Sequence, residues 1–329
     1  MSQFVYDGRE MLRADGRLNS SLWVDQPDAL QILKKKLEAK KITEKEADLL
    51  NHFIKNGYMI FNAGLTEDFV KLFDSTVKLL YEWRPDDLRM ADPRVNGGQL
   101  TRMSMIAKDF KRAPGTRLTD MHSHNLAARI LYLHPAIHRM VRLVLERQPI
   151  ATQSLYFEFG SQQSPHRDPW FVFSDPPWDL MAAWIALEDI HEEAGPLVYY
   201  PGSHSLPYYR FPYGGLQHHL PGKDSVSKEE ANKSYAFNNH EMAKQQIRPL
   251  HFNARTGDVL IWHSSLTHGE AAVKNPNRTR KSFVVHFDAL TNPSAFRRTD
   301  KVMTYRNCIG LDNPFCWDRF HWKRATGKQ

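Results

Sequence analysis

After residue 150 the chain breaks into short runs rich in β-branched and aromatic residues, at 152–159, 182–187, 196–200, 258–263 and 281–289, punctuated by Pro, Gly and Asp. Runs of that length and composition read as strands. The preceding part has another period. Residues 31–40 and 44–56 carry Leu and Ile at helical spacing, with Thr43 and Glu46 placed as a capping box. Residues 66–83 read as a helix begun by Thr66-Glu67-Asp68. Residues 125–147 read as one more, with Leu126, Ile130, Leu133, Ile137, Val141 and Leu145 along one face. Between them, 57–61 suits a short strand, and 84–114 is polar and interrupted by Asn96-Gly97-Gly98, as in a loop with a little strand.

Helices first and many short strands afterwards specify an α+β chain with a mainly β core, a jelly roll of the cupin-like kind, under an N-terminal helical layer. The expected layout is a mostly helical part at 1–149, a catalytic core at 150–292 and a C-terminal extension at 293–329, together forming one structural domain. Within the core, residues 208–250 form a long polar stretch containing His218, His219 and His240. An insert of that length in a compact domain is usually a lid or binding element.

The 329 residues are 41% hydrophobic and 25% charged, as in a soluble globular protein. No run is long enough to span a bilayer, and the N-terminus lacks the basic and apolar blocks of a secretory signal. Cys308 and Cys316 permit one disulfide but no framework, so a reducing, cytoplasmic setting is expected. The net charge of +7 favours anionic partners: acidic small molecules, phosphorylated groups or membrane surfaces. The basic residues are scattered apart from short groups such as Lys34-Lys35-Lys36 and Arg297-Arg298, so nucleic acid is not an expected partner. Oligomeric state is not legible.

The chemistry gathers at Ser164-Pro-His-Arg-Asp-Pro-Trp170 and far downstream at 257–268. On an extended backbone His166 and Asp168 point to the same side. His268 would complete two imidazoles and one carboxylate, a donor set that suits Fe(II) and leaves positions open for a co-substrate and O₂. Arg280 and Ser282 share a strand face, opposite Phe283, Val285 and Phe287. A guanidinium fork with a hydroxyl beside it would anchor the distal carboxylate of 2-oxoglutarate. Arg278 shares the parity of Arg280 and rivals it. Plainer roles suit His204, as a turn residue, and His263 and His286, as satisfied inner histidines.

His166-x-Asp168, Trp184-Ile-Ala-Leu187, Gly195-Pro-Leu, Pro201-Gly-Ser-His204, Gly257-Asp258, His268-Gly269 and Arg280-Lys281 follow one another in an order that resembles the phytanoyl-CoA dioxygenase family. The resemblance runs from about residue 153 to 289. It implies a double-stranded β-helix, Fe(II) held by His166, Asp168 and His268, and 2-oxoglutarate and O₂ as co-substrates. It further implies Arg280 on the co-substrate carboxylate, Trp184 lining the same pocket, and Arg102 as a loosely matched basic contributor. Glu270 departs from the pattern, since the family often has a small hydroxyl residue there. Arg167 is a second departure, standing where some relatives carry glutamine. Asp168 speaks against halogenation, which needs a small residue at that position. The implied reaction is hydroxylation of an unactivated C–H in a small-molecule, lipid or thioester-type substrate, with release of succinate and CO₂. A cupin-type metal enzyme without 2-oxoglutarate, an isomerase or hydrolase, and a non-catalytic binding protein are the alternatives.

Overall fold

One large sheet sorts the apolar side chains into two populations. The structure, a computed structural model, describes residues 11–218, 226–291 and 302–312. Its strands are β1 (Tyr58–Asn62), β2 (Arg89–Ala91), β3 (Thr101–Arg102), β4 (Arg117–Thr119), β5 (Pro149–Phe157), β6 (Met181–Ala186) and β7 (Leu197–Tyr199). They continue with β8 (Leu250–Phe252), β9 (Asp258–His263), β10 (His268–Glu270), β11 (Ser282–Ala289), β12 (Val302–Tyr305) and β13 (Cys308–Leu311). Ten of them form a sheet of order β1-β9-β6-β11-β5-β4-β2-β3, with β12 and β13 attached beside β5. The smaller sheet is β10-β7-β8, and neither sheet closes on itself. This is a jelly roll of two unequal sheets, as the strand pattern requires.

Alternation along the strands does the sorting. Ala183, Ile185, Val259, Ile261, Phe283, Val285 and Phe287 join helical residues such as Phe53, Phe73, Val77, Ile137 and Val141 in the larger core. Residues of the other parity, Ala182, Trp184, Leu260, Trp262 and Val284, face Leu197, Tyr199 and Phe252 of the smaller sheet. Buried on both faces, β6 reads as an unbroken apolar run.

The helices are α1 (Ala29–Glu38), α2 (Glu44–Asn56), α3 (Glu67–Trp83), α4 (Leu126–Tyr132), α5 (Pro135–Leu145) and α6 (Lys228–Lys244). The capping box is present: Thr43 Oγ1 accepts from Glu46 N, and Glu46 Oε2 accepts from Thr43 N. Thr66 caps α3, as its sequence indicates.

Two expectations need correction. The helix read across 125–147 is two helices, because Pro135 has no N–H to give and instead begins α5 at its first position. Leu126 and Ile130 are then exposed, at 69% and 40%, while Ile137, Val141 and Leu145 are buried. The 208–250 insert is not all loop, since it contains the 17-residue α6. Its buried positions are Ser234, Asn238, Glu241 and Met242, mostly polar, so no apolar period announces it. Among the described residues no helix is long and apolar enough to cross a membrane. Arg297-Arg298, His219 and Cys316, and with Cys316 the disulfide to Cys308, lie outside the described residues.

Candidate metal centre

Two backbone hydrogen bonds bring the distant histidines together. His166 N donates to His268 O at 2.8 Å, and His268 N donates to His166 O at 3.0 Å. Residues paired across such an antiparallel bridge project to the same face. The two imidazole centroids lie 4.4 Å apart. Arg167 is extended (φ −114°, ψ 136°), so Asp168 returns to the side of His166, and Asp168-Pro-Trp170 then turns away as a short 3₁₀ helix. Arg167 points the other way, onto the Tyr208 ring at 4.4 Å and the Pro207 carbonyl at 3.1 Å.

Each of the three side chains has one donor atom committed to the protein and one left over. His166 Nδ1 faces Ser164 O at 2.9 Å, and His268 Nδ1 faces Leu266 O at 3.0 Å, which leaves both Nε2 atoms as acceptors. Trp262 Nε1 donates to Asp168 Oδ2 at 2.6 Å, freeing Oδ1. Asp168 Oδ1 lies 3.9 Å from His166 Nε2 and 3.5 Å from His268 Nε2. The three donors all fall within 4.8 Å of one another. Burial, reinforced by the neighbouring His268, pushes the His166 pKa down to about 3, so its ring is neutral, as a ligand must be. Burial alone would raise Asp168. The imidazoles of His268, His286 and His166 and the Trp262 bond outweigh it and hold the carboxyl below its ordinary range. Two oriented imidazoles, that of His166 neutral, beside the Asp168 carboxylate fit a divalent metal of the Fe(II) type.

The donors open into a cavity of about 540 Å³ between the two sheets. Its walls are the inward-facing residues of the strands, among them Leu155, Phe157, Trp184, Trp262, Val284 and His286. Trp184, expected there, lies at 5.6 Å from the Arg280 guanidinium, and Phe157 at 5.5 Å. Ser282 meets Arg280: Nη1 donates to Ser282 Oγ at 2.7 Å. Arg280 is completely buried, and burial pushes its pKa down to about 9 against the opposing charge of Glu188, so it remains a cation at neutral pH. Its Nη2 faces Glu270 Oε1 in an ion pair, an engagement that its sequence position did not announce.

Other candidates resolve differently. Arg278 pairs with Glu193 at 3.2 Å and is about half exposed, so it is no rival to Arg280. His263 faces Asp25 at 3.2 Å rather than the metal donors. His204 sits in the turn Ser203–Ser205. His286 does face the centre, its Nε2 4.0 Å from Asp168 Oδ1. Arg102 is a correction: exposed and paired with Asp86 at 2.6 Å, it does not line the cavity. The basic residue on the wall is Arg117, on β4, next to Phe157 on β5. It escaped notice because a three-residue strand has too little pattern to show which side chains face inward.

The fold and this donor set define a jelly-roll metal protein with the two-histidine, one-carboxylate site of non-haem iron oxygenases. The family model of phytanoyl-CoA dioxygenase (PhyH) matches residues 53–282, and the chain belongs to that family. Phytanoyl-CoA dioxygenase domain-containing protein 1 of Mus musculus is 25% identical over 170 residues, covering 50% of this chain and 54% of the mouse protein. The Rattus norvegicus protein of the same name is 28% identical over the same length. The chain thus spans about half the length of these curated relatives. Among solved structures, EctD from S. alaskensis with 2-oxoglutarate and 5-hydroxyectoine superposes with a TM-score of 0.52 at 17% identity, covering 76% of this chain and 77% of EctD. The epimerase SnoN with Fe3+, alpha ketoglutarate and nogalamycin RO gives 0.51 at 17%, covering 74% of this chain and 84% of SnoN. At such identities the likeness is one of fold.

Proposed function

We propose that this chain is an Fe(II)- and 2-oxoglutarate-dependent oxygenase that hydroxylates an unactivated C–H of a small molecule, releasing succinate and CO₂. The observation that carries the reading is the convergence of His166 Nε2, His268 Nε2 and Asp168 Oδ1, each freed by a hydrogen bond at its other atom. Fe(II) held there would supply the redox chemistry that couples O₂ to oxidation of a 2-oxo acid, which no side chain can do. The EctD and SnoN structures, with 2-oxoglutarate and with Fe3+ and alpha ketoglutarate respectively, support the choice of partners.

The protein's own part is positioning and exclusion. Ser164 O, Leu266 O and Trp262 fix the donor atoms before any ligand arrives. Leu100, Leu155, Phe171 and Val172 give the cavity apolar walls that exclude water and accept a hydrocarbon body. Arg117 offers a guanidinium to an anionic group, and its pKa is lowered by burial without any ion-pair partner among the described residues. Arg280 and Ser282 form the fork that suits a dicarboxylate's far end. A substrate with an apolar body and an acidic, phosphorylated or thioester-bearing end matches this lining.

The test is succinate release with Fe(II) and 2-oxoglutarate across pools of such molecules, comparing the natural chain with Asp168→Ala. Succinate should depend on both additions and vanish in the variant while the fold persists. Full 2-oxoglutarate consumption by Asp168→Ala would exclude this ligand set. O₂ uptake indifferent to 2-oxoglutarate would favour a metal enzyme of another class.

A further inference from the structure

The carboxylate seat on Arg280 is already filled by the chain itself. Glu270 stands two residues after His268 in β10, so it shares that ligand's face and points into the same cavity. Its side chain is 5% exposed. One oxygen faces Arg280 Nη2, and the other accepts from Gln162 N at 2.9 Å. The fork that would grip a dicarboxylate therefore holds a side-chain carboxylate beside Phe157 and Trp184. Among the described residues Glu270 is the acid paired with Arg280, because Glu188 turns instead to Lys281 N at 2.8 Å and Thr279 Oγ1 at 3.0 Å. A second carboxylate in that seat would stand against the first in a buried, low-dielectric place, where like charges repel strongly.

Resting on the oxygenase reading above, we propose that Glu270 is a specificity-determining residue that occupies the distal-carboxylate seat, so that 2-oxoglutarate binds only by displacing it from Arg280. The cavity gives its side chain room to leave. Glu270 is the last residue of β10 and lines the cavity, while its backbone is held by β7 on one side and by hydrogen bonds to the 163–166 segment on the other. The arrangement makes the affinity for 2-oxoglutarate weak. It leaves the affinity for a 2-oxo monoacid, which needs nothing from Arg280, largely untouched.

The experiment is anaerobic calorimetry of 2-oxoglutarate and, separately, pyruvate binding to the Mn(II)-loaded natural chain and to Glu270→Ser. Glu270→Gln, which keeps the size and removes the charge, serves if the serine variant does not fold. The variant should bind 2-oxoglutarate at least about tenfold more tightly, a gain of about 1.4 kcal/mol, while pyruvate affinity moves by less than about threefold. Equal 2-oxoglutarate affinities, or a matching gain for pyruvate, would overturn the role of Glu270 and leave the oxygenase reading standing. If neither protein binds 2-oxoglutarate, both readings fall together.

Discussion

Trp262 is the residue whose removal most directly tests whether the metal site is pre-organised. Its indole N–H donates to Asp168 Oδ2 at 2.6 Å, deep in the structure, and leaves Oδ1 pointing at the two imidazoles. Trp262→Phe keeps an aromatic ring between the sheets but removes the donor. A hydrogen bond to a charged group contributes about 1.5–3 kcal/mol. If that energy holds the carboxylate in its ligating rotamer, its loss converts to about 10- to 150-fold in affinity at 1.4 kcal/mol per decade. The range agrees with the 10- to 100-fold typical when the partner of a ligating side chain is mutated. The assay is an anaerobic Mn(II) or Fe(II) titration of the natural chain and the variant, with thermal unfolding of the metal-free proteins as control. Weakened metal binding beyond about tenfold, with a folded apoprotein, is the expected outcome. Unchanged affinity would mean that Asp168 is oriented by the backbone alone and that the pre-organisation reasoning is wrong.

Three other consequences are as direct. A Cβ on Gly269 would stand 2.8 Å from Pro165 N and 3.0 Å from Gln163 O, backbone atoms that cannot swing aside, so Gly269→Ala should part His166 from His268. Metal binding measured by titration should then fall far more than unfolding cooperativity does. His138 is buried against Phe287, and burial lowers its pKa from 6.5 to about 4. The unfolded chain therefore binds the extra proton first, and stability present above about pH 6.5 should be lost as the pH falls toward 4. Urea midpoints across that window should show the slope, and His138→Gln should reduce it, the remainder coming from other buried histidines such as His122 and His204. Finally, Arg102→Ala should leave anionic-ligand affinity unchanged, whereas Arg117→Met should weaken it, because only Arg117 lines the cavity. Equal effects in a binding titration would refute that placement.

Much of the site was legible because its chemistry uses residue types in fixed local spacing. His166 and Asp168 lie two apart on extended backbone, and His268-Gly269 and Arg280 follow in family order, so the ligand set and the fork with Ser282 could be named without coordinates. The five runs of β-branched and aromatic residues announced the central strands for the same reason, since burial on one or both faces leaves a two-residue or unbroken apolar pattern. The capping box at Thr43 and Glu46 is likewise a local device.

What escaped had no local pattern to carry it. Helix α6 buries Ser234, Asn238 and Glu241, and it packs through hydrogen bonds such as Ser234 with His218 at 2.9 Å, so hydrophobic periodicity is silent there. Arg117 and Arg102 both belong to strands of two or three residues, and only the pairing of β4 with β5 puts the former on the cavity wall. The sequence by itself determined which atoms could bind a metal and that helices cover a mainly β core. Tertiary structure decided which charges meet: the ion pair of Glu270 with Arg280 joins the end of β10 to a residue two positions before β11, and depends on how the two sheets pack on each other. Electrostatic partnership is a property of distance in space, and spacing along the chain fixes that distance only within a single element.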